Sequence, residues 1–195
     1  MSKDYGVADA RFNSIIKYDE RFDSINLLDS NGIMRLVANK EDDTEAVGSD
    51  FSSRGYFSVP KNTKLPYMGD AFRSVRGLDV VTFSVPVLDD NGNVVAVVAS
   101  GSTLSNIVSL TSLPEDIEGM YFSILDSRGN LITSKGKAPT EIVNVKDRDS
   151  LVASLVAGDS SLVMSEVNYL NDKVTARGDE IVVGNNKIFV AGYYL

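Results

Sequence analysis

One five-residue pattern recurs three times in this chain and does most to limit its fold. The copies are Leu28-Asp29-Ser30-Asn31-Gly32, Leu88-Asp89-Asp90-Asn91-Gly92 and Leu125-Asp126-Ser127-Arg128-Gly129, each with apolar residues on both sides. Asp at the start of a turn accepts backbone amides two residues on. Gly supplies the positive φ that closes a hairpin. Each copy therefore predicts strand, tight turn, strand. A calcium loop is the competing reading of Asp89-Asp90-Asn91, but an EF-hand requires Glu at its twelfth position. Counting twelve from Asp89 arrives at Ser100. The hairpin reading is preferred.

Periodicity places the remaining elements. Val7, Phe12, Ile15 and Ile16 are spaced for one face of a helix over residues 7–20. Strands are expected at 25–28 and 33–37, and a short helix at 51–59, with Asp50 or Ser52 able to cap it and Pro60 near its end. Residues 79–88 and 93–102 read as two long buried strands rich in β-branched side chains. A helical connector is expected over 104–113, stopped by Pro114. The pattern then repeats: a hairpin at 120–134, a helix at 150–157 capped by Asp149 and ended by Gly158, and strands at 161–167, 173–177, 181–183 and 187–194. Gly184-Asn185-Asn186 is the last turn. The predicted fold is α+β: two tandem units, each an antiparallel sheet flanked by helices, behind an N-terminal helix.

Composition narrows function. Among 195 residues there is no Cys, His or Trp. That excludes Cys/His metal sites, a Ser-His-Asp triad and a cysteine nucleophile. No metal site and no cofactor are expected. The net charge of −8 argues against nucleic acid, which requires a basic footprint. The acidic clusters Glu41-Asp42-Asp43 and Asp147-Arg148-Asp149 read as solvated loops, and no phosphate-binding glycine loop is present. No catalytic residue is assigned, and an enzyme is not expected. Met1-Ser2-Lys3-Asp4 leads into no apolar signal segment. The uncharged run 91–114 is apolar throughout only over 94–99, so it reads as a buried strand and a polar turn, not a membrane span. The chain reads as soluble as it stands, which is compatible with a soluble piece of a membrane protein.

The order of residues between 48 and 98 resembles a known family. Gly48-x-Asp50-x-Ser52-x-Arg54-Gly55-Tyr56-Phe57 is followed by Leu65-Pro66-Tyr67-x-x-Asp70-x-Phe72, then by Val81-Thr82-Phe83-Ser84-Val85-Pro86-Val87, Asp-Asn-Gly and Val94-Val95-Ala96-Val97-Val98. This is similar to the membrane-distal half of a double Cache domain. Such domains are the PAS-like extracytoplasmic sensors of histidine kinases, chemoreceptors and diguanylate cyclases. Tyr121-Phe122-Ser123-Ile124-Leu125-Asp126 resembles the start of their membrane-proximal half. The resemblance implies an N-terminal helix over 1–21, the remnant of a longer helix after a transmembrane segment. It implies a ligand-binding distal unit over 22–113 and a proximal unit over 114–195. It also implies a membrane-anchored parent chain facing the periplasm or the outside, and a small organic ligand. A homodimer through the N-terminal helix is plausible, although the same apolar residues could pack on the first sheet.

The resemblance implies a site made of Arg54, Tyr56, Phe57, Tyr67, Asp70 and Gly101. Guanidinium is a planar fork of donors that matches a carboxylate with two parallel hydrogen bonds. On a short helix at a pocket wall, Arg54 would fix a small anion; alternatively it is an ordinary exposed arginine. Tyr56 and Phe57 point about 100° apart on a helix, so one is expected in the core and one at the ligand, unless both are core. Tyr67 and Asp70 lie in the loop that closes over the ligand in the family, and Asp70 could receive an ammonium group or simply hold a turn. Amino-acid sensors of this type carry a Tyr five residues before the Arg and an Asp near the end of the last long strand. Here those positions are Ser49 and Gly101. The departure favours a carboxylate ligand lacking an α-amine. The alternatives are an amino-acid or amine sensor and a structural or dimerisation module without a small ligand. The second unit's helix at 150–157 offers only apolar and hydroxyl groups, which points to a structural relay.

Overall fold

A computed structural model describes residues 5–111, 117–159, 163–168 and 170–195. These form two compact units. The first comprises the chain up to Gly69 together with Val81–Thr103; the second comprises Asp70–Val80 and Leu104–Leu195. The boundary expected at 113/114 lies outside the described residues.

In the first unit, α1 (Gly6–Tyr18) is followed by β1 (Ser24–Asp29) and β2 (Met34–Asn39), then α2 (Gly55–Thr63) and β3 (Tyr67–Met68). After β4 (Phe72–Arg73), which with the first two residues of β5 belongs to the second unit, come the long strands β5 (Asp79–Leu88) and β6 (Val94–Thr103). The sheet runs β2-β1-β6-β5-β3, with β4 paired to the start of β5. One core cluster joins α2 to this sheet through Leu28, Met34, Phe57, Val94, Val97 and Ala99. Another joins α1 to it through Ile16, Ile25 and Ala38, with Phe12, Phe22 and Val98 packed alongside. Of the apolar positions expected on α1, Phe12 and Ile16 thus face the sheet, whereas Val7 and Ile15 are exposed.

The second unit holds α3 (Leu104–Thr111), β7 (Met120–Asp126), β8 (Leu131–Ser134), α4 (Ser150–Ala157), β9 (Val163–Val167), β10 (Lys173–Val183) and β11 (Asn186–Tyr194). Its sheet runs β8-β7-β11-β10-β9. Both sheets thus place a short hairpin at one edge and the last long strand beside that hairpin's first strand. Asp149 caps α4 by accepting the Val152 amide at 3.1 Å, an interaction worth about 1 kcal/mol in helices generally. Gly158 ends the helix in the left-handed region. Leu151, Val152 and Leu155 fill the core with Tyr121, Phe189 and Tyr193.

The three Asp-x-x-Gly turns close alike. Asp29 Oδ1 accepts the amides of Asn31 and Ile33 at 2.8 and 3.1 Å. Asp89 Oδ1 accepts those of Asn91 and Asn93 at 2.9 and 2.8 Å. Asp126 Oδ1 accepts those of Arg128 and Asn130, both at 2.9 Å. In each turn the glycine amide donates to the aspartate carbonyl.

Several elements differ from expectation. The helix expected at 51–59 begins at Gly55 and runs through Pro60 to Thr63. Residues 51–53 instead form a turn in which Asp50 accepts the Ser52 amide at 2.8 Å, so neither Asp50 nor Ser52 caps the helix. Pro60 is buried inside α2, which stops one turn later at Lys64 in the left-handed region. The strands expected at 173–177 and 181–183 are one strand, because Gly178 is not a turn. A Cβ there would lie 2.5 Å from Leu155 Cδ1, so this glycine lets α4 seat on β10. The expected helix end at 112–113 and strand start at 161–162 lie outside the described residues.

The turn glycines provide a graded test. Gly32 has φ +86°, and a Cβ there would lie 2.6 Å from Ser52 Cα. Gly92 has φ +76° with open space around it. Gly92→Ala is expected to cost about 1 kcal/mol of unfolding free energy for the backbone conformation alone, and Gly32→Ala roughly 3 kcal/mol. Urea unfolding measures both, and equal losses would contradict this account of the first hairpin.

Candidate functional site

Arg54 occupies the N-cap of α2 and is not within the helix. Its backbone is extended (φ −77°, ψ 139°), and its carbonyl accepts the amides of Phe57 and Ser58, both at 2.9 Å. The side chain leaves the helix start into solvent. Among the described residues no side chain takes its guanidinium in an ion pair or hydrogen bond. The nearby Asp50 carboxylate is occupied by Ser52, whose amide and hydroxyl hold it below the usual carboxylate range.

The adjacent aromatic residues divide as helix geometry requires. Phe57 is core. Tyr56 is half-buried against the same cluster, with its ring centroid 6.5 Å from that of Phe51. Burial pushes its phenol up to about 12, against the pull of the Arg54 charge. Tyr56 therefore remains a neutral hydroxyl at physiological pH, close enough to Arg54 to feel its field.

Tyr67 enters from β3, where it pairs with Ser84 of β5. Its hydroxyl reaches the start of α2: a Cβ on Gly55 would lie 3.1 Å from Tyr67 Oη. Gly55 thus leaves room for the phenol immediately after Arg54. Gly101 lies on β6 opposite Ser24. Alternation along the strand puts it on the face of Ala99 and Val97, which pack under α2. A Cβ at Gly101 would sit 3.0 Å from Ser24 Oγ, so a larger side chain there requires Ser24 to move. Of the expected site residues, Arg54, Tyr56 and Tyr67 thus meet the start of α2, whereas the neighbour of Gly101 is Ser24.

Asp70 is elsewhere. It belongs to the second unit, where its carboxylate accepts from Ser127 Oγ at 2.6 Å, Ser127 N at 3.2 Å and Asn186 Nδ2 at 3.3 Å. It also meets Arg128 Nε at 3.0 Å. A cation already sits where an ammonium group was expected.

Sequence reasoning did not single out Gly55 or Ser84. Ser84 is buried, and its Oγ has no hydrogen-bond partner among the described residues. The alternation of hydroxyl and apolar residues in Val81-Thr82-Phe83-Ser84-Val85 was the available signal, because Thr82 and Ser84 are buried while Phe83 and Val85 are exposed. Among the described residues, no group of three or more acidic side chains is placed to hold a metal ion.

Residues 11–100 match the family described as "HK/GC/Chemotaxis protein-like, sensor domain". The fold is shared with several solved sensory and ligand-binding domains. The chain is similar to an extracellular ligand binding receptor from Desulfohalobium retbaense (TM-score 0.72, 16% identity), covering 96% of this chain and 33% of that one. It is also similar to the periplasmic sensory domain of the Campylobacter jejuni chemoreceptor Tlp1 (TM-score 0.69, 14% identity; 98% and 79% covered). A third similar structure is the ligand binding domain of the Pseudomonas aeruginosa amino acid chemoreceptor PctC in complex with GABA (TM-score 0.66, 14% identity; 100% and 83% covered). The chain thus spans about a third of the Desulfohalobium protein and about four-fifths of the other two. No curated protein sequence matches it. The double Cache resemblance and the α+β fold expected from the residue order are borne out. Among the described residues, no helix is long and apolar enough to cross a membrane.

The Tyr56 environment has a measurable consequence. A phenol whose folded-state value is raised from 10.0 to about 12 binds its proton more tightly folded than unfolded. Its contribution to stability is present below about pH 10 and is lost as pH rises toward about 12. Tyr56→Phe is expected to flatten the alkaline fall in unfolding free energy across that window. An unchanged slope in denaturant titrations would place Tyr56 in water.

Proposed function

We propose that this chain is the extracytoplasmic sensor region of a membrane-anchored histidine kinase or chemoreceptor, and that its first unit binds a small carboxylate beside Arg54. The observation carrying this reading is the exposed Arg54 guanidinium at the N-cap of α2, with no acidic partner among the described residues and with the Tyr67 hydroxyl close to Gly55 at the same helix start. A carboxylate satisfies its fork bidentately. The partial positive charge of the α2 N-terminus adds to the attraction. Tyr56 and the Tyr67 hydroxyl lie near the same helix start.

An amine on the ligand finds less to meet. Gly101 stands where amino-acid sensors of this type place an aspartate, and Asp70 is occupied by Arg128. Short carboxylic acids without an α-amine are therefore favoured over amino acids. In the second unit α4 is seated on β10, and Leu151, Val152 and Leu155 have no more than 1% exposure, which supports a relay role for that unit. The 22–113 segment is then the membrane-distal half and the 114–195 segment the membrane-proximal half. Signalling requires that the ligand bind one of two conformations more tightly.

Thermal-shift and denaturant measurements with short mono- and dicarboxylates against amino acids test this. A binding carboxylate stabilises the protein by about 2.7 kcal/mol at a hundredfold excess over Kd, and Arg54→Ala abolishes the shift without lowering stability in buffer. Stabilisation by amino acids alone, or a shift that survives Arg54→Ala, would overturn the assignment.

A further inference from the structure

Of the three Asp-x-x-Gly turns, the third has a contact unlike the others. The second oxygen of Asp29 goes to Arg35 and that of Asp89 to Asn93, both within their own hairpins. Asp126 Oδ2 accepts Asn130 Nδ2 at 2.7 Å and also the amide of Ala71 at 2.9 Å, 55 residues away. In return, Asp70 Oδ1 accepts the amide of Ser127 at 3.2 Å. Ala71 follows Asp70, and Ser127 follows Asp126. Each carboxylate therefore holds the amide one residue beyond the other.

This arrangement opposes ordinary electrostatics. Among the described residues, only Asp70 of the two carboxylates meets a cation, Arg128, whose side chain is 73% exposed; Asp126 takes only the backbone amide of that residue. Burial, together with the Asp70 charge, pushes the Asp126 carboxyl above its usual value. The equivalent carboxyls lie below theirs. At Asp29, burial raises the value but Arg35 and the turn amides outweigh it; at Asp89, bonds from Asn93 dominate. The rest of the 70–80 segment is thinly attached. Only Ala71 and Val80, near its two ends, are buried, and β4 contributes a two-residue pairing to β5.

We propose that the Asp70–Asp126 pair is a reciprocal clasp that fastens residues 70–80 to the β7–β8 turn as a releasable strap. The strap carries little apolar burial of its own, so opening one arm of the clasp frees the other, as in sub-global opening of a cooperative segment. Asp70 is thereby a positioning residue and not a ligand contact. The strap begins three residues after Tyr67, so if the first unit binds its ligand as proposed above, displacement of Tyr67 acts directly on Asp70. The clasp itself does not depend on that reading.

Native-state hydrogen exchange on the intact chain, without added carboxylate, tests the clasp separately from the ligand. In Asp70→Ala the amide of Ser127 loses its acceptor directly, whereas the amide of Ala71 loses nothing unless the two arms act together. The expected result is exchange faster by about tenfold or more at both amides, with Leu27 of β1 unchanged. The isosteric Asp70→Asn guards against a folding defect and is expected to give the same paired response at smaller amplitude. Acceleration at Ser127 with Ala71 still protected, in either variant, would show two independent hydrogen bonds and overturn the clasp.

Discussion

An aspartate oxygen that accepts two backbone amides in a tight turn is the interaction on which this structure depends. Asp29, Asp89 and Asp126 each close a hairpin in this way. The hairpins fix strand register, and register decides which side chains face a helix and which face water. In the first unit that choice places Val97 and Ala99 under α2. In the second it places Tyr121, Leu125 and Tyr193 under α4. Hydrogen bonds from amides to a carboxylate are stronger than those to a neutral acceptor, so these turns bear on stability as well as direction.

The same backbone logic positions the candidate site. Arg54 is presented by the start of α2 because the preceding residues are tied into a turn by Asp50 and Phe51. Gly55 leaves the gap that the Tyr67 hydroxyl enters. The helix start therefore presents one exposed cation, Arg54, in a chain whose net charge is −8. Ligand selectivity in such a site is local, since the overall sign of the protein opposes the anion it would hold.

Much of this was legible in the sequence, and the exceptions have physical causes. The hairpins and the Asp149 cap with its Gly158 stop are local, and local chemistry reads directly from the residues. Pro60 was read as a helix stop, yet it lies inside α2, where burial of the ring accompanies the missing amide bond. The gap expected between strands at 173–177 and 181–183 begins at Gly178, which instead continues the strand and whose missing Cβ admits the close approach of Leu155. A glycine kept for packing looks the same in sequence as one kept for a turn. Asp70 was expected, from the family resemblance, either to receive an ammonium group or to hold a turn. Its partners at 127, 128 and 186 are too distant in sequence to be read from any local pattern. Arg54, Tyr56 and Tyr67 were legible as a group because the order of residues resembled that of a sensor family.

The most direct test of the account is a crystal structure of the protein soaked with a short dicarboxylate such as succinate, inspected at Arg54. The account predicts carboxylate density in bidentate contact with the guanidinium, at about 2.7–2.9 Å, with a tyrosine hydroxyl from Tyr56 or Tyr67 on the same ligand. A ligand seated in the second unit, or an Arg54 that remains surrounded by water while a ligand binds elsewhere, would contradict it.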